Sequence, residues 1–151
     1  MKSLENKIPP LIIFMFFLLL IFFLKNLLEI FTFSYQIFIS LLFLCFAISF
    51  FLTGIIEFRK HKTTLNPLIP EESTTLVTTG VFKLSRNPIY LSLLNLLIAF
   101  SIYLGSFLGL FIIPLFVIYM NLFQIVPEEK AMLKLYGKEF ENYCLNVRRW
   151  I

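Results

Sequence analysis

The chain has 151 residues, one domain's worth by length. It is 59% hydrophobic and only 15% charged, with 20 phenylalanines and a mean hydropathy of +0.88, whereas a soluble domain is roughly 25% charged; the composition excludes an ordinary soluble domain and points to an integral membrane protein. A net charge of +4 is too small to make nucleic acid an expected partner, so what matters is where the positive residues sit relative to the membrane spans.

Residues 1–7 are polar and carry Lys2 and Lys7. Pro9-Pro10 then opens an apolar run over residues 11–24, and proline is tolerated at a helix start because the first amides have no partner there. The run has the length of a signal-peptide core. Lys25-Asn26 follows it without a small-x-small cleavage site, so a retained helix is expected. It is short for a hydrocarbon core of roughly 30 Å unless Ile8 or Leu27-Leu28 extend it. Cys45 lies in the next apolar run and Cys144 in the polar tail, and with no CxxC or Cys/His cluster neither a disulfide framework nor a zinc site is expected.

Residues 35–56 hold no charge over about the 20 residues that a crossing needs, with Thr53 and Gly54 placed for close helix packing. Arg59, Lys60 and Lys62 follow and mark the cytoplasmic side. His61, the only histidine, reads as a solvated group in that basic run. Residues 63–79, with Pro67, Pro70, Glu71 and Glu72, read as a long loop, and a loop of that length in a small protein is functional or disordered.

Residues 89–126 contain no charged side chain. As one helix they would run to nearly twice the thickness of the bilayer core, so they must turn. Gly105, beside Ser106, is the corner, which predicts a helical hairpin over 88–104 and 107–126 with a kink at Pro114. Asn95, Asn121 and Gln124 are polar at membrane depth and are expected to face the bundle interior. From Glu128 to Val147 the apolar residues Met132, Tyr136, Phe140, Tyr143 and Val147 form one helical face, with Lys130, Lys134, Lys138 and Glu141 away from it. This predicts an amphipathic helix along the cytosolic surface. Four crossings place both termini and nearly all the positive residues on one side, which charge asymmetry makes cytoplasmic.

Two stretches carry candidate chemistry. One is LVTTGVFKLSRNPIY, residues 76–90, with Gly80, the Arg86-Asn87-Pro88 triplet and Tyr90. The other is the Glu128-Glu129 pair at the start of the tail. On the residues alone each has two readings. The loop is a plain basic turn before a proline helix start, or a site. The acids are placed by the helix dipole, or they are working carboxylates, with Glu129 on the apolar face where an unpartnered charge is costly.

The two stretches in this order, separated by two apolar arms, resemble the isoprenylcysteine carboxyl methyltransferases and the related phospholipid methyltransferases. Those families show L-V-x-x-G-x-Y, then R-[HN]-P-x-Y, a helical hairpin, and E-E-x-x-L-x-x-x-[FY]-G-x-x-[FY]-x-x-Y with a following V and R. This chain matches at Leu76, Val77, Gly80, Arg86, Asn87, Pro88, Tyr90, Glu128, Glu129, Leu133, Tyr136, Gly137, Phe140, Tyr143, Val147 and Arg148. Phe82 stands where the pattern has Tyr, Thr74 where prenylcysteine enzymes have His, and no Arg precedes the Glu pair.

The resemblance implies an all-α, multi-pass membrane protein with about four transmembrane helices. It implies S-adenosylmethionine as cofactor and a lipid-like or isoprenylcysteine-type methyl acceptor. Thr74, Thr75, Leu76, Val77, Phe82, Asn87, Pro88, Ile89 and Tyr90 would contact the cofactor, and Glu128 and Glu129 would hold its ribose or ammonium group. Glu129, partly desolvated with its pKa raised, is the candidate catalytic residue. Asn121 and Gln124 are the candidate substrate-binding residues, and the acceptor would enter between the hairpin arms. The chain then divides into an N-terminal transmembrane pair (1–62), a cofactor-binding loop (63–87), the hairpin (88–126) and the amphipathic tail (127–151). A soluble Rossmann-type methyltransferase is excluded because no Gly-rich loop follows a strand. Two alternatives remain: an NADPH-dependent enzyme like the membrane sterol reductases, which resemble the same C-terminal half, and a non-catalytic membrane protein of the same fold.

Overall fold

Long apolar runs leave their backbone no water to bond, so each closes its hydrogen bonds within itself as helix. The computed structural model describes residues 7–62 and 73–151; most of the expected long loop, with its prolines and Glu71-Glu72, lies outside the described residues. Among these residues six α-helices run in order: α1 (Pro10–Leu24), α2 (Gln36–Lys60), α3 (Pro88–Leu104), α4 (Phe107–Met120), α5 (Val126–Tyr136) and α6 (Lys138–Asn146). Short 3₁₀ turns follow α1 at Lys25–Leu27 and precede α3 at Gly80–Lys83. No β-strand forms among the described residues, and residues 74–77 are irregular chain.

Among the described residues, three helical stretches are long and apolar enough to cross a membrane: Pro10–Leu27, Gln36–Lys60 and Phe107–Tyr136. The third is longer than the predicted arm. The chain does not leave the helix at residue 126 but passes through a π-helical turn, Asn121–Ile125, straight into α5. The 17 residues of α3 span about 25 Å at 1.5 Å each, short of a core of roughly 30 Å. The predicted single tail helix is also broken. Gly137, at φ 50° and ψ −123°, separates α5 from α6. Phe140 and Tyr143 of the expected apolar face are buried nonetheless, while Lys130, Lys134 and Lys138 are exposed.

Close approach sets how the helices assemble. α2 packs along α3, and α1 packs on α3 and α4. A Cβ at Gly54 would lie 3.3 Å from the Ile89 side chain, so Gly54 lets α2 reach the start of α3. A Cβ at Gly109 would lie 2.7 Å from the Ser101 hydroxyl, so α3 and α4 touch with almost nothing between them. Ile21, Leu97, Phe116, Met120 and Ile125 fill the centre where α1, α3, α4 and the π-turn meet.

The α3–α4 turn rests on Gly105. It caps α3 in the left-handed region at φ 65°, and its carbonyl accepts the Phe31 amide at 2.8 Å. Ser106 then caps α4 by accepting the Gly109 amide at 3.0 Å. A side chain at 105 would meet the Ile30 side chain at 2.7 Å and crowd the Phe31 carbonyl. Gly105→Ala should therefore cost at least the 1–2 kcal/mol, roughly, of a left-handed non-glycine residue, read as a lower melting temperature in detergent; an unchanged melt would show that the turn relaxes freely.

One acid sits where the sequence showed only a basic run. Glu57, near the end of α2, is 7% exposed. Its carboxylate accepts Lys60 Nζ at 2.8 Å and the Thr79 hydroxyl at 2.5 Å. Gly80 makes room for it, since a Cβ there would lie 2.6 Å from the Glu57 carboxyl carbon. His61 is half-buried and bonds the same Thr79 hydroxyl at 2.9 Å. The threonine gives its one proton to Glu57, so His61 Nε2 is the donor in that contact. This cluster ties α2 to the loop that enters the site.

Candidate active site

Pro88 starts α3, and Glu128 and Glu129 follow Pro127 in the first turn of α5, just past the π-turn. Between them lies a cavity of about 450 Å³, within the roughly 300–1,000 Å³ of cofactor-sized sites. The loop brings Thr75, Leu76, Val77 and Phe82 to its wall, the helix start brings Asn87, Pro88, Ile89 and Tyr90, and α5 brings Glu128 and Glu129. All but one of the residues expected to contact a cofactor thus share one cavity. Thr74 does not line it: its hydroxyl donates to the Lys62 carbonyl at 3.4 Å.

The two glutamates have separate environments. Glu128 accepts a short hydrogen bond from the Tyr90 hydroxyl on Oε1. Its Oε2 has no protein partner among the described residues. Glu129 is enclosed by two guanidinium groups: Arg86 Nη2 lies 2.7 Å from Oε1, and Arg149 approaches side-on, with Nε 3.0 Å from Oε1 and Nη2 2.6 Å from Oε2. A carboxylate has about four lone-pair sites, and three of these are taken. Glu129, expected to be partly desolvated on the apolar face, has its charge balanced at contact distance by residues 43 and 20 positions away.

The same arginines fasten the end of the chain. Arg86 Nη1 donates to the carbonyls of Cys144 and Val147, at 3.1 and 2.7 Å, and its amide donates to that of Arg148. Asn87 Nδ2 donates to the Arg149 carbonyl at 2.9 Å. Asn87 therefore lines the cavity with its side-chain amide already spent on the tail. The Arg86 Nε–H is buried without a partner among the described residues.

Tyr143 closes the wall from α6. Its hydroxyl donates to the Phe82 carbonyl at 2.7 Å, and burial pushes the phenol well above its ordinary pKa, with Arg86 pulling weakly the other way. Tyr143→Phe leaves that carbonyl unpaired and should cost about 1 kcal/mol, seen as a modestly lower melt with the helix content unchanged.

Asn121 and Gln124 lie elsewhere. Neither lines the cavity. Asn121 accepts the Trp150 indole N–H at 3.1 Å, and Gln124 donates to the Ile8 carbonyl at 2.7 Å. The structure adds wall residues that the sequence did not assign to the site: Pro9, Pro10 and Leu11 at the start of α1, and Phe51 and Phe58 of α2. Arg149 was missed as well, since a basic residue before a C-terminal Trp carries no local sign of a partner 20 residues back.

The family model for phospholipid methyltransferases matches residues 35–139. The chain belongs to that family. As a phospholipid methyltransferase family member it is a membrane protein of methyltransferase type, and the matched span takes in the loop, α3, α4 and the Glu pair. α1 and the tail arginine of this family member fall outside the match. The chain is also similar to an uncharacterized protein of Haemophilus influenzae, 39% identical over 62 residues, which cover 41% of this chain and 98% of that protein. No solved structure matches.

Proposed function

We propose that the cavity binds S-adenosylmethionine and that the protein transfers its methyl group to a lipid-like acceptor at the membrane. The observation that carries this reading is the meeting of the Asn87–Tyr90 turn and the Glu128-Glu129 pair around one cavity of about 450 Å³. The donor set suits the cofactor. The spare Oε2 of Glu128 can accept from an ammonium or a ribose hydroxyl, the unpartnered Arg86 Nε–H can donate to a carboxylate, and Leu76, Val77 and Phe82 offer apolar surface to a base.

When bound, the cofactor supplies an electrophilic methyl on a sulfonium: the S–CH₃ bond breaks with its electron pair left on sulfur, and a bond from methyl to acceptor forms. The protein's part is to hold the two in line, and positioning supplies most of such a rate. Glu128, oriented by Tyr90, takes the role that the sequence assigned to Glu129; with an amine acceptor it receives the acceptor's proton, and with a carboxylate acceptor no base is needed. Glu129 holds Arg86 and Arg149 and thereby the shape of the wall.

In this reading α3 is the fourth crossing, the α3–α4 hairpin spans the bilayer twice, and both termini and the cavity face the cytoplasm beside Arg59, Lys60, Lys62, Lys83 and the tail cations. Isothermal titration with S-adenosylmethionine, and transfer of radiolabelled methyl to total host lipid, test it. Heat of binding and one labelled lipid product are expected. Absence of binding, or NADPH-dependent sterol reduction in its place, overturns it.

A further inference from the structure

The wall of the cavity includes a helix that the family match leaves out. α1 brings Pro9, Pro10 and Leu11 to it, and α2, on the other side, brings Phe51 and Phe58. α1 packs on α3 and α4, and α2 packs on α3, but α1 and α2 do not pack along each other. They leave a cleft whose floor is α3, with Tyr90 and Leu93 at its base. Leu11, 61% exposed, and Phe51, 42% exposed, line the cavity and also face outward. Between the arms α3 and α4, where the sequence placed the entrance, the buried side chains of Leu93, Leu97, Phe116 and Met120 pack in one core cluster and fill the space.

On the α1 side of this cleft the chain is tied by a polar contact from Gln124. Helix α1 starts at Pro10, and its first helical amides bond the Pro9 carbonyl, so the Ile8 carbonyl has no helical donor. Gln124, with no exposed surface, supplies one from the π-turn. A hydrogen bond in so dry a place is costly to leave unmade.

We propose that the apolar tail of the methyl acceptor enters the cavity from the bilayer through the α1–α2 cleft, with Leu11 and Phe51 as the residues that select its thickness and Gln124 as the positioning residue for the α1 side. The proposal rests on the methyltransferase reading of the cavity and names its acceptor as a molecule with a flexible hydrocarbon chain. The occupant follows from the surroundings. Both sides of the cleft are apolar, and the medium outside them is acyl chain. The carboxylates line the same cavity with the loop residues, so a chain entering here leaves its polar end toward Glu128.

Photolabelling tests this on the full chain in phosphatidylcholine vesicles containing a trace of phosphatidylcholine with a diazirine in one acyl chain. Leu93 is 6% exposed and lines the cavity, so a chain that stays outside the helices does not touch it. Carbene insertion at Leu93 is expected, with loss of that insertion in the Leu11→Trp/Phe51→Trp chain. Insertion confined to outward residues such as Phe23 and Phe111, or undiminished labelling of Leu93 in the double variant, overturns the proposal. Gln124→Leu should shift the acceptor chain length preferred in methyl transfer to total lipid, while S-adenosylmethionine affinity stays as it was. An unchanged preference removes Gln124 from the positioning role. Titration of the same samples separates the two ideas: no cofactor binding ends the methyltransferase reading, while the labelling of Leu93 still decides the cleft.

Discussion

Glu129→Ala is expected to lower the stability of the protein by about 3 kcal/mol, toward the lower end of what removing one partner of a buried ion pair costs. Two guanidinium groups would lose their counter-charge together. Arg86 keeps little exposed surface and Arg149 about a third of its own, so solvent offsets part of the loss for Arg149 and little of it for Arg86. Arg86 also holds its turn against the carbonyls of Cys144 and Val147, and Ser85 and Asn87 bond the carbonyl of Arg149, so the damage reaches two segments. For a chain of this size the melting temperature should fall by roughly 6–12 °C. Glu129→Gln keeps the shape and one acceptor oxygen and should fall about half as far. A melt of the alanine variant within about 2 °C of the parent would show that the arginines are held by something other than this carboxylate.

The second large effect lies one residue earlier. Glu128→Gln should reduce methyl transfer by about a hundredfold or more, the usual consequence of losing a positioned proton acceptor or a charged contact in a water-poor site. The partition of that loss reports the acceptor. An amine acceptor puts it in kcat, because its proton has nowhere to go. A carboxylate acceptor leaves kcat near the parent value and puts the loss in cofactor affinity. Tyr90→Phe removes only the hydroxyl that orients Glu128 and should cost about tenfold, the value of one hydrogen bond to a charged group. Equal activity in Glu128→Gln and the parent would end any direct role for this side chain. Melting curves serve as the control, since Glu128 holds no cation and its loss should hardly change them.

Much of the helical layout was legible in the residues. The run at 35–56 and the proline at 88 mark α2 and α3 because a charge-free stretch has only helix open to it in lipid. Gly105 was legible as a corner because an apolar stretch of that length has to turn. The facing of residues 76–90 and the Glu pair came from a resemblance and not from periodicity. What escaped was long-range pairing. The repeat of apolar residues says which face of α5 is buried but not that Arg86 and Arg149 meet Glu129 there. Nothing local marked Glu57 as buried, because its partner Thr79 is separated from it by 22 residues. Gln124 was correctly placed in the bundle interior, yet its partner belongs to α1, which no local pattern could indicate.

The π-turn at Asn121–Ile125 carries one more implication. Each residue of an α-helix advances the side-chain direction by about 100°, and π-turns are single-residue insertions into that count. The extra residue thus sets the azimuth of everything beyond it, including which way Glu128 and Glu129 look. Losing one residue there would leave α4 seated in its core and swing both carboxylates about a quarter-turn away from the opposing loop. Length in this stretch is consequently as strict a requirement as residue identity, although nothing about its apolar composition advertises it.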